Sequence, residues 1–444
     1  MTTAIVNIGQ LVTLAGPVRP RIGGELSDLG IIEGAALLIE DEPAEVVLKG
    51  TAFRPYVSVG REAGALAPEG NGRIVAVGTY AGIKQKIPPH AAIIDAQQRC
   101  VTPGFIDAHT HLVFAGNRAA EYEQRIAGAT YQQIAAAGGG ILSTVAQTRA
   151  ASEDELLTAA RRHRNWMLRA GTTTLEAKSG YGLDRDTELK MLRVLKKLSE
   201  EGPARILPTL LAAHTVPPEY ANDRTAYIRL LVEELIPEVA AAHLAHFCDA
   251  FCDDHAFTVD ECRTVLTAAR NHGMSLRIHA EQFRPGTGAA LAAELGAATA
   301  DHLETVTPET ITQLRAAGVQ PVLLPASVFC LHRTEYPNAR AMVEAGLAIV
   351  LATDFNPGSS PVASMPFILS LACLEMRLTP AEALTAATIN AAYSLGLGAQ
   401  IGSLEPGKQA DFLIHEIADY RELPYFAAAP LRPRVFIAGR ELSI

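Results

Sequence analysis

The sequence predicts an α/β protein: a (β/α)8 barrel carrying a small β-sandwich assembled from both chain termini. Strand-like apolar runs alternate with helical stretches from about residue 104 to 404. A texture of Val, Ile, Gly and short turns fills residues 1 to about 103 and returns after about 405. The length of 444 residues suits one large barrel with an appendage as readily as three domains of roughly 150 residues. The expected division is therefore 1–103 with 405–444 for the sandwich and 104–404 for the barrel.

Taken in order, 35–40 and 73–78 read as strands between turns. From about Asp41 to Gly72, Pro, Gly and charged residues mix with little periodicity, which fits either a long loop or an inserted hairpin. Beyond the first hundred residues, 171–176, 205–211, 275–279 and 347–354 read as strands, and 153–170, 187–201 and 259–272 as helices. Alternation over this length favours a closed parallel barrel over a single doubly wound sheet. Glu405-Pro-Gly407 marks the return to strands at 409–415 and 434–440. No repeat of about 20–50 residues and no low-complexity segment interrupts this order.

Composition narrows the function. Lys plus Arg number 38 and Asp plus Glu 48, a net charge of −10. That balance argues against a nucleic-acid partner, which calls for a basic patch, and against an anionic membrane surface. Hydrophobic residues at 48% and charged residues at 19% allow a full core. No apolar run approaches the ~18 residues that span a bilayer. The opening Met-Thr-Thr-Ala-Ile-Val-Asn lacks the positive stretch of a secretion signal, so a cytoplasmic setting is expected. Cys100, Cys248, Cys252, Cys262, Cys330 and Cys373 are too sparse for a disulfide scaffold and suit reduced thiols. No second pair accompanies Cys248 and Cys252, so they read as structural rather than as a metal knuckle.

The strongest chemical signal is Val101-Thr-Pro-Gly-Phe-Ile-Asp-Ala-His109-Thr-His111. Residues two apart on a strand share a side, so both imidazoles can face one metal ion. His279 ends a strand-like run, His302 follows Asp301, and Asp354 ends the apolar run 348–354. In a barrel the C-terminal strand ends converge on one site. Ionisable groups there are costly to desolvate unless paired or metal-bound.

This pattern resembles the amidohydrolase superfamily. The tail from Thr388-Ile-Asn-Ala-Ala392 through Ile401-Gly-Ser-Leu-Glu-Pro-Gly-Lys-Gln-Ala-Asp411 is similar to its C-terminal signature. Within it, the chain is similar to the imidazolonepropionase family. The stretches that carry this are His111-Leu-Val-Phe-Ala-Gly-Asn-Arg118, Ala137-Gly-Gly-Gly-Ile141 and Glu176-Ala-Lys-Ser-Gly-Tyr-Gly182. Ala213-His-Thr215, His279-Ala-Glu-Gln282 and Thr353-Asp-Phe-Asn-Pro-Gly-Ser359 complete them.

The resemblance implies one metal ion, zinc or iron, held by His109, His111, His279 and Asp354. It implies 4-imidazolone-5-propanoate as substrate and N-formimino-L-glutamate as product of ring-amide hydrolysis by a metal-activated water. Asp354 would shuttle the proton, His302 hold the water or polarise the carbonyl, and His214 lie over that carbonyl. Arg118 and Tyr181 would bind the propionate; a fixed guanidinium fork suits a carboxylate. Asn356, Gly358 and Ser359 match the loop that contacts substrate. Dinuclear amidohydrolases carry a carboxylated lysine, but Lys178 lies in the Lys-Ser-Gly-Tyr segment and is not expected to bridge metals.

Some family members have Glu where this chain has Gln282. A neutral amide exchanges hydrogen bonds but is no general base, so Gln282 is expected to bind the ring, leaving base duty to Asp354 or His302. Glu281 should point to the opposite side. The region 41–71 also looks longer than the family's β domain usually needs.

Other signals carry less. Gly138-Gly-Gly140 lacks the Gly-Lys-Ser/Thr of a phosphate loop, and neither His-Glu-x-x-His nor Gly-x-Ser-x-Gly occurs. His90, His163, His243, His246, His255, His272, His332 and His415 read as structural or solvated. Of these, His163 is expected on a solvated helix face, and His332 with Arg333 nearest the site edge. Trp166 reads as helix packing. The alternative within the superfamily is a metal-dependent deaminase of a nitrogen heterocycle, which the Arg118–Tyr181 pair disfavours. The alternative outside it is a non-catalytic scaffold, disfavoured because all four expected ligands are present. A homodimer is compatible with such a barrel, and no stretch marks an interface.

Overall fold

The computed structural model describes residues 1–41, 72–129, 133, 138–253, 256–427 and 429–444. The stretch 42–71, expected as a loop or hairpin, and His255 lie outside the described residues.

Strands β1 (Thr2–Val12), β2 (Ile31–Asp41), β3 (Gly72–Thr79), β4 (Ala92–Asp95) and β5 (Cys100–Pro103) come first. The barrel follows with β6 (Phe105–Asp107), β7 (Thr172–Lys178), β8 (Arg205–Ala213) and β9 (Phe247–Cys252). It continues with β10 (Ser275–Ala280), β11 (Thr299–His302), β12 (Gln320–Leu323) and β13 (Val350–Leu351). The chain ends with β14 (Phe412–Ile414), β15 (Arg434–Ile437) and β16 (Arg440–Glu441).

The terminal strands form one sheet in the order β16-β15-β14-β5-β1-β2-β3, with β4 also paired to β1. The sheet curls until its edges meet. Ile74 N donates to Lys408 O at 2.9 Å and Ala410 N to Gly72 O at 3.0 Å, which brings β3 against the entry of β14. The enclosed face holds Ile5, Leu37, Val101, Phe412 and Phe436, with the two phenylalanine rings stacked at 4.3 Å. The expected small β-sandwich from both termini is thus a separate sheet, built as one continuous curled sheet.

The eight remaining strands pair in sequence order from β6 to β13, and every pair is parallel. Strands buried on both faces read as near-continuous apolar runs, and β7 and β8 are buried at every residue. The barrel closes just beyond β6 and β13. Asp354 N donates to His109 O at 3.1 Å, and His111 N to Phe355 O at 2.8 Å. Helices return the chain between strands and begin where side chains satisfy their free N–H groups. Ser152 with Glu155 caps the helix Glu153–Arg169, and Thr258 with Glu261 caps Val259–Asn271. Among the described residues, no helix is long and apolar enough to cross a membrane.

The structure corrects the expectation for His163. It is 2% exposed, stacks on Phe114 at 4.5 Å and holds the Leu112 carbonyl at 2.9 Å through Nδ1. It lies on the buried stripe with Leu156, Ala160 and Met167, a helical spacing that the flanking arginines disguised. Trp166 packs on His163 yet stays 42% exposed under the Arg162 guanidinium. His332 is exposed, whereas Arg333 reaches inward to the Gln282 carbonyl at 2.8 Å.

His415 seals the junction of the two units. Thr102 Oγ1 donates to Pro103 O and accepts from His415 Nε2 at 2.8 Å. Burial pushes the imidazole pKa down to about 3. The unfolded side chain titrates near 6.5, so between pH 6.5 and 3 the unfolded state binds the extra proton. Stability from this site is complete above pH 6.5 and lost as pH falls through that window. Replacing His415 by Gln should lower the slope of unfolding free energy against pH there by about 1.4 kcal/mol per pH unit. Urea unfolding at stepped pH measures this.

Candidate active site

The site is built at the C-terminal ends of the barrel strands, with buried charges below and loops above. Below it, Lys178 near the end of β7 is fully buried. Its Nζ lies 2.9 Å from Glu176 Oε1, 2.8 Å from Asp249 Oδ2 and 3.9 Å from Asp301 Oδ2. Burial alone would push this amine down, but Asp249 and Glu176 outweigh it and hold its pKa above the usual value. Arg277, also fully buried, donates to Ala108 O at 2.7 Å and Asp301 Oδ2 at 3.4 Å. The amine of Lys178 is thus committed to carboxylates.

Those carboxylates orient two imidazoles. Asp301 Oδ2 lies 2.6 Å from His109 Nδ1, and Asp249 Oδ1 lies 3.1 Å from His279 Nδ1. Acceptors on Nδ1 leave each Nε2 lone pair pointing into the site. Both Nε2 atoms are buried without a hydrogen-bond partner, as is His111 Nδ1. Burial holds His109 and His111 well below the usual imidazole range, reinforced by Lys178 for the first and His214 for the second. The orphaned Nε2 atoms of His109 and His279, each opposite a carboxylate-bound Nδ1, fit a metal ion better than any protein partner present.

Two groups of side chains could hold an ion, each with ligand atoms within 4.8 Å of one another: His109, His111 and Asp354, and His109, His279 and His302. They share His109. Asp354 Oδ1 is 3.5 Å from Nε2 of both His109 and His111. Burial raises the Asp354 pKa. His302 Nδ1 faces Glu304 Oε1 at 3.3 Å, and this carboxylate overcomes burial and raises the imidazole pKa.

Around this centre stand the remaining expected residues. His214 stacks on His111 at 5.1 Å and bonds Gly180 O at 2.9 Å through Nδ1. Burial lowers its pKa to about 3. The Tyr181 ring is buried 5.8 Å from His111 and 5.5 Å from His214. Arg118 gives Nε to Thr144 Oγ1 at 3.0 Å, which leaves its two terminal nitrogens for other partners. A Cβ on Gly358 would stand 2.4 Å from one of them. Gln282 donates to Ser327 Oγ at 3.3 Å. Glu281 turns away, as expected, and caps the helix Gly288–Leu295 through Ala289 N at 3.0 Å.

Asn356 behaves differently from its neighbours. Its Oδ1 accepts from the N–H groups of Gly358 at 2.8 Å, Ser359 at 2.7 Å and Ser360 at 3.3 Å. Its Nδ2 donates to Asp354 O at 2.6 Å and Ser359 Oγ at 2.9 Å. The amide is fully engaged in shaping the loop that presents Asp354 and Ser359. Sequence reasoning passed over Glu176, Asp249, Arg277 and Glu304 and used Asp301 only as a neighbour. A signal existed: charged residues inside otherwise apolar strands, at a period of two with the histidines, as in Arg277-Ile-His279.

A family model described as the amidohydrolase family matches residues 100–440. The chain is 52% identical over 438 residues to the imidazolonepropionase of Solibacter usitatus, covering 99% of this chain and 98% of that protein. It is 44% identical over 421 residues to the imidazolonepropionase of Geobacillus kaustophilus, covering 94% and 92%. Among solved structures, 5-methylcytosine deaminase from Klebsiella pneumoniae liganded with 5-fluorocytosine matches with a TM-score of 0.69 at 15% identity, covering 99% and 97%. That last likeness is one of fold alone.

Removing the Lys178 charge tests the buried network. Lys178→Met leaves Glu176 and Asp249 facing each other without their cation, which should cost about 3–5 kcal/mol. The expected readout is a lower urea midpoint at unchanged slope.

Proposed function

We propose, because the chain belongs to the amidohydrolase family and within it to the imidazolonepropionases, that the converging side chains divide one hydrolysis among them. The reaction is hydrolysis of the ring amide of 4-imidazolone-5-propanoate to N-formimino-L-glutamate, in histidine degradation. One metal ion, zinc or iron, would be held by His109, His111, His279 and Asp354, a donor set that suits either. The observation that carries this is the pair of buried, unpartnered Nε2 atoms on His109 and His279, each opposite a carboxylate-bound Nδ1. Charge supports a divalent ion. Lys178 and Arg277 face Glu176, Asp249 and Asp301, and Asp354 adds a further negative group. When bound, the ion supplies Lewis acidity and makes a water molecule easier to deprotonate.

The chain's own residues supply the rest. Water oxygen adds to the ring carbonyl carbon, the carbon–nitrogen bond breaks, and the leaving nitrogen takes a proton. Asp354, whose carboxyl holds a proton more readily because it is buried, accepts that proton from the water and delivers it to the nitrogen. His302, whose pKa the Glu304 carboxylate raises against the effect of burial, polarises the carbonyl. His214 lies over the same carbonyl. Arg118 offers its terminal nitrogens, and Tyr181 its hydroxyl, to the propionate. Gln282 bonds the ring, while Asn356, Gly358 and Ser359 shape the rim beside Arg118. The six free thiols support a cytoplasmic setting, and a small molecule rather than nucleic acid or membrane is the partner.

Purified protein mixed with 4-imidazolone-5-propanoate should consume the ring's ultraviolet absorbance, with N-formimino-L-glutamate as product. A chelator should stop it. No turnover by metal-loaded protein would reject the substrate. Asp354→Asn should abolish turnover and metal binding together, and near-normal turnover by that variant would sink the shuttle role. Gln282→Ala should raise KM about tenfold while leaving kcat within a few-fold, as loss of a ground-state contact does.

A further inference from the structure

We propose that Glu188 is a positioning residue for the substrate pocket: its carboxylate holds the 179–183 loop in the one shape that places Tyr181 and orients His214. This rests on the reading of Tyr181 and His214 as substrate-facing groups.

Glu188 sits in the first turns of the helix Arg185–Glu200 and is fully buried. Among the described residues it has no ion pair with a Lys, Arg or His side chain. A buried carboxylate without a cation is costly unless donors surround it. Here the donors come from one loop. Gly180 N reaches its two oxygens at 3.0 and 3.2 Å, Gly182 N at 2.8 Å and Leu183 N at 2.9 Å. Three backbone N–H groups of this loop therefore converge on one side chain, and two of them, on Gly180 and Gly182, flank Tyr181. Backbone N–H groups wrapped around an anion form a concave nest, and the carboxylate satisfies buried donors that would otherwise be left unpaired.

The backbone records the same constraint. Gly180 has φ +102°, and a Cβ there would lie 2.9 Å from Leu211 O and 3.0 Å from His214 Nδ1. A Cβ on Gly182 would lie 2.7 Å from Glu188 N and 2.9 Å from Glu188 Oε1. Leu183 adopts φ 56°, uncommon for a residue with a side chain, and its N–H is one of those the carboxylate takes. The loop then acts on the pocket at two points. Its Gly180 carbonyl takes His214 Nδ1 at 2.9 Å, which sets the ring plane stacked on His111. Its Tyr181 ring is wedged between His111, His214 and Phe114. Glu188 touches neither substrate nor reacting atoms; it acts through these two residues.

The test is a double-mutant cycle on the full-length, metal-loaded enzyme, with KM, kcat and thermal midpoint measured for each variant. Glu188→Gln turns one acceptor oxygen into an NH2 group that faces backbone donors. It should raise KM about tenfold with kcat within about threefold, the split expected when substrate groups are misplaced rather than the chemistry removed. Tyr181→Phe should raise KM by itself, and the double variant should fall clearly short of the sum of the two, because part of the Glu188 effect passes through the Tyr181 hydroxyl. A folded Glu188→Gln enzyme with unchanged KM, or effects that add in the double variant, overturns the inference. If Tyr181→Phe raises KM and Glu188→Gln does not, only the role of Glu188 falls. If Tyr181→Phe leaves KM unchanged, the reading of Tyr181 falls and this inference with it. Should Glu188→Gln fail to fold, Glu188→Asp keeps the charge but is one methylene too short to reach all the donors. The same KM split is then expected, and a wild-type KM in folded Glu188→Asp overturns the inference.

Discussion

The pairing of Lys178 with Asp249 and Glu176, in the interior of the barrel, is the interaction on which the rest of the site depends. Removing such charges from water costs several kcal/mol per ion unless they compensate one another. Once compensated, the carboxylates become rigid acceptors. Asp249 and Asp301 then hold the imidazoles of His279 and His109, while Glu176 accepts the Thr110 N–H at 3.2 Å between the two leading histidines. The unpartnered nitrogens of these two rings are thus positioned from beneath by strand residues, which have little freedom to move. The groups assigned to substrate come from loops above. Rigid acceptors below and adjustable loops above is the arrangement expected where one set of atoms must stay fixed and another must fit a molecule.

Much of this was legible in the sequence, and the parts that were not share a cause. The helix at 259–272 was expected nearly where Val259–Asn271 stands, because its cap and apolar period are local. The His109-Thr-His111 pair was legible for the same reason. The strand expected at 347–354 is only Val350–Leu351, since Asp354 turns the chain with φ 53° and no sequence pattern announces a left-handed aspartate. The role of Asn356 as a loop organiser depends on N–H groups that only the folded loop brings together. The carboxylates beneath the site lie on strands 50 or more residues apart in the chain, so nothing local links Asp249 to Lys178. His163 shows the opposite failure, a local charge run that concealed a buried position.

The barrel closes at the site itself. His109, His111 and Asp354 all belong to the two segments whose backbones meet beyond β6 and β13. An ion held among them, as proposed, would bridge the first strand of the barrel to the last. Metal binding at the proposed site and barrel closure would then be coupled free energies, since whatever holds these side chains together also holds the seam.

The join between the two sheets has a consequence for how the protein is made. Only Gly104 separates β5 from β6, so the first sheet runs straight into the barrel. Yet β14, which pairs with the outer edge of β5, is reached some 310 residues later. At ribosomal speeds of about 5–20 residues per second, that edge stays open for roughly 15–60 s while the barrel emerges. An open apolar edge is a site for mispairing with other chains. The nascent protein passes through a stage in which its barrel strands are complete and its first sheet is unsealed, and β14, made after them, is the strand that ends the exposure.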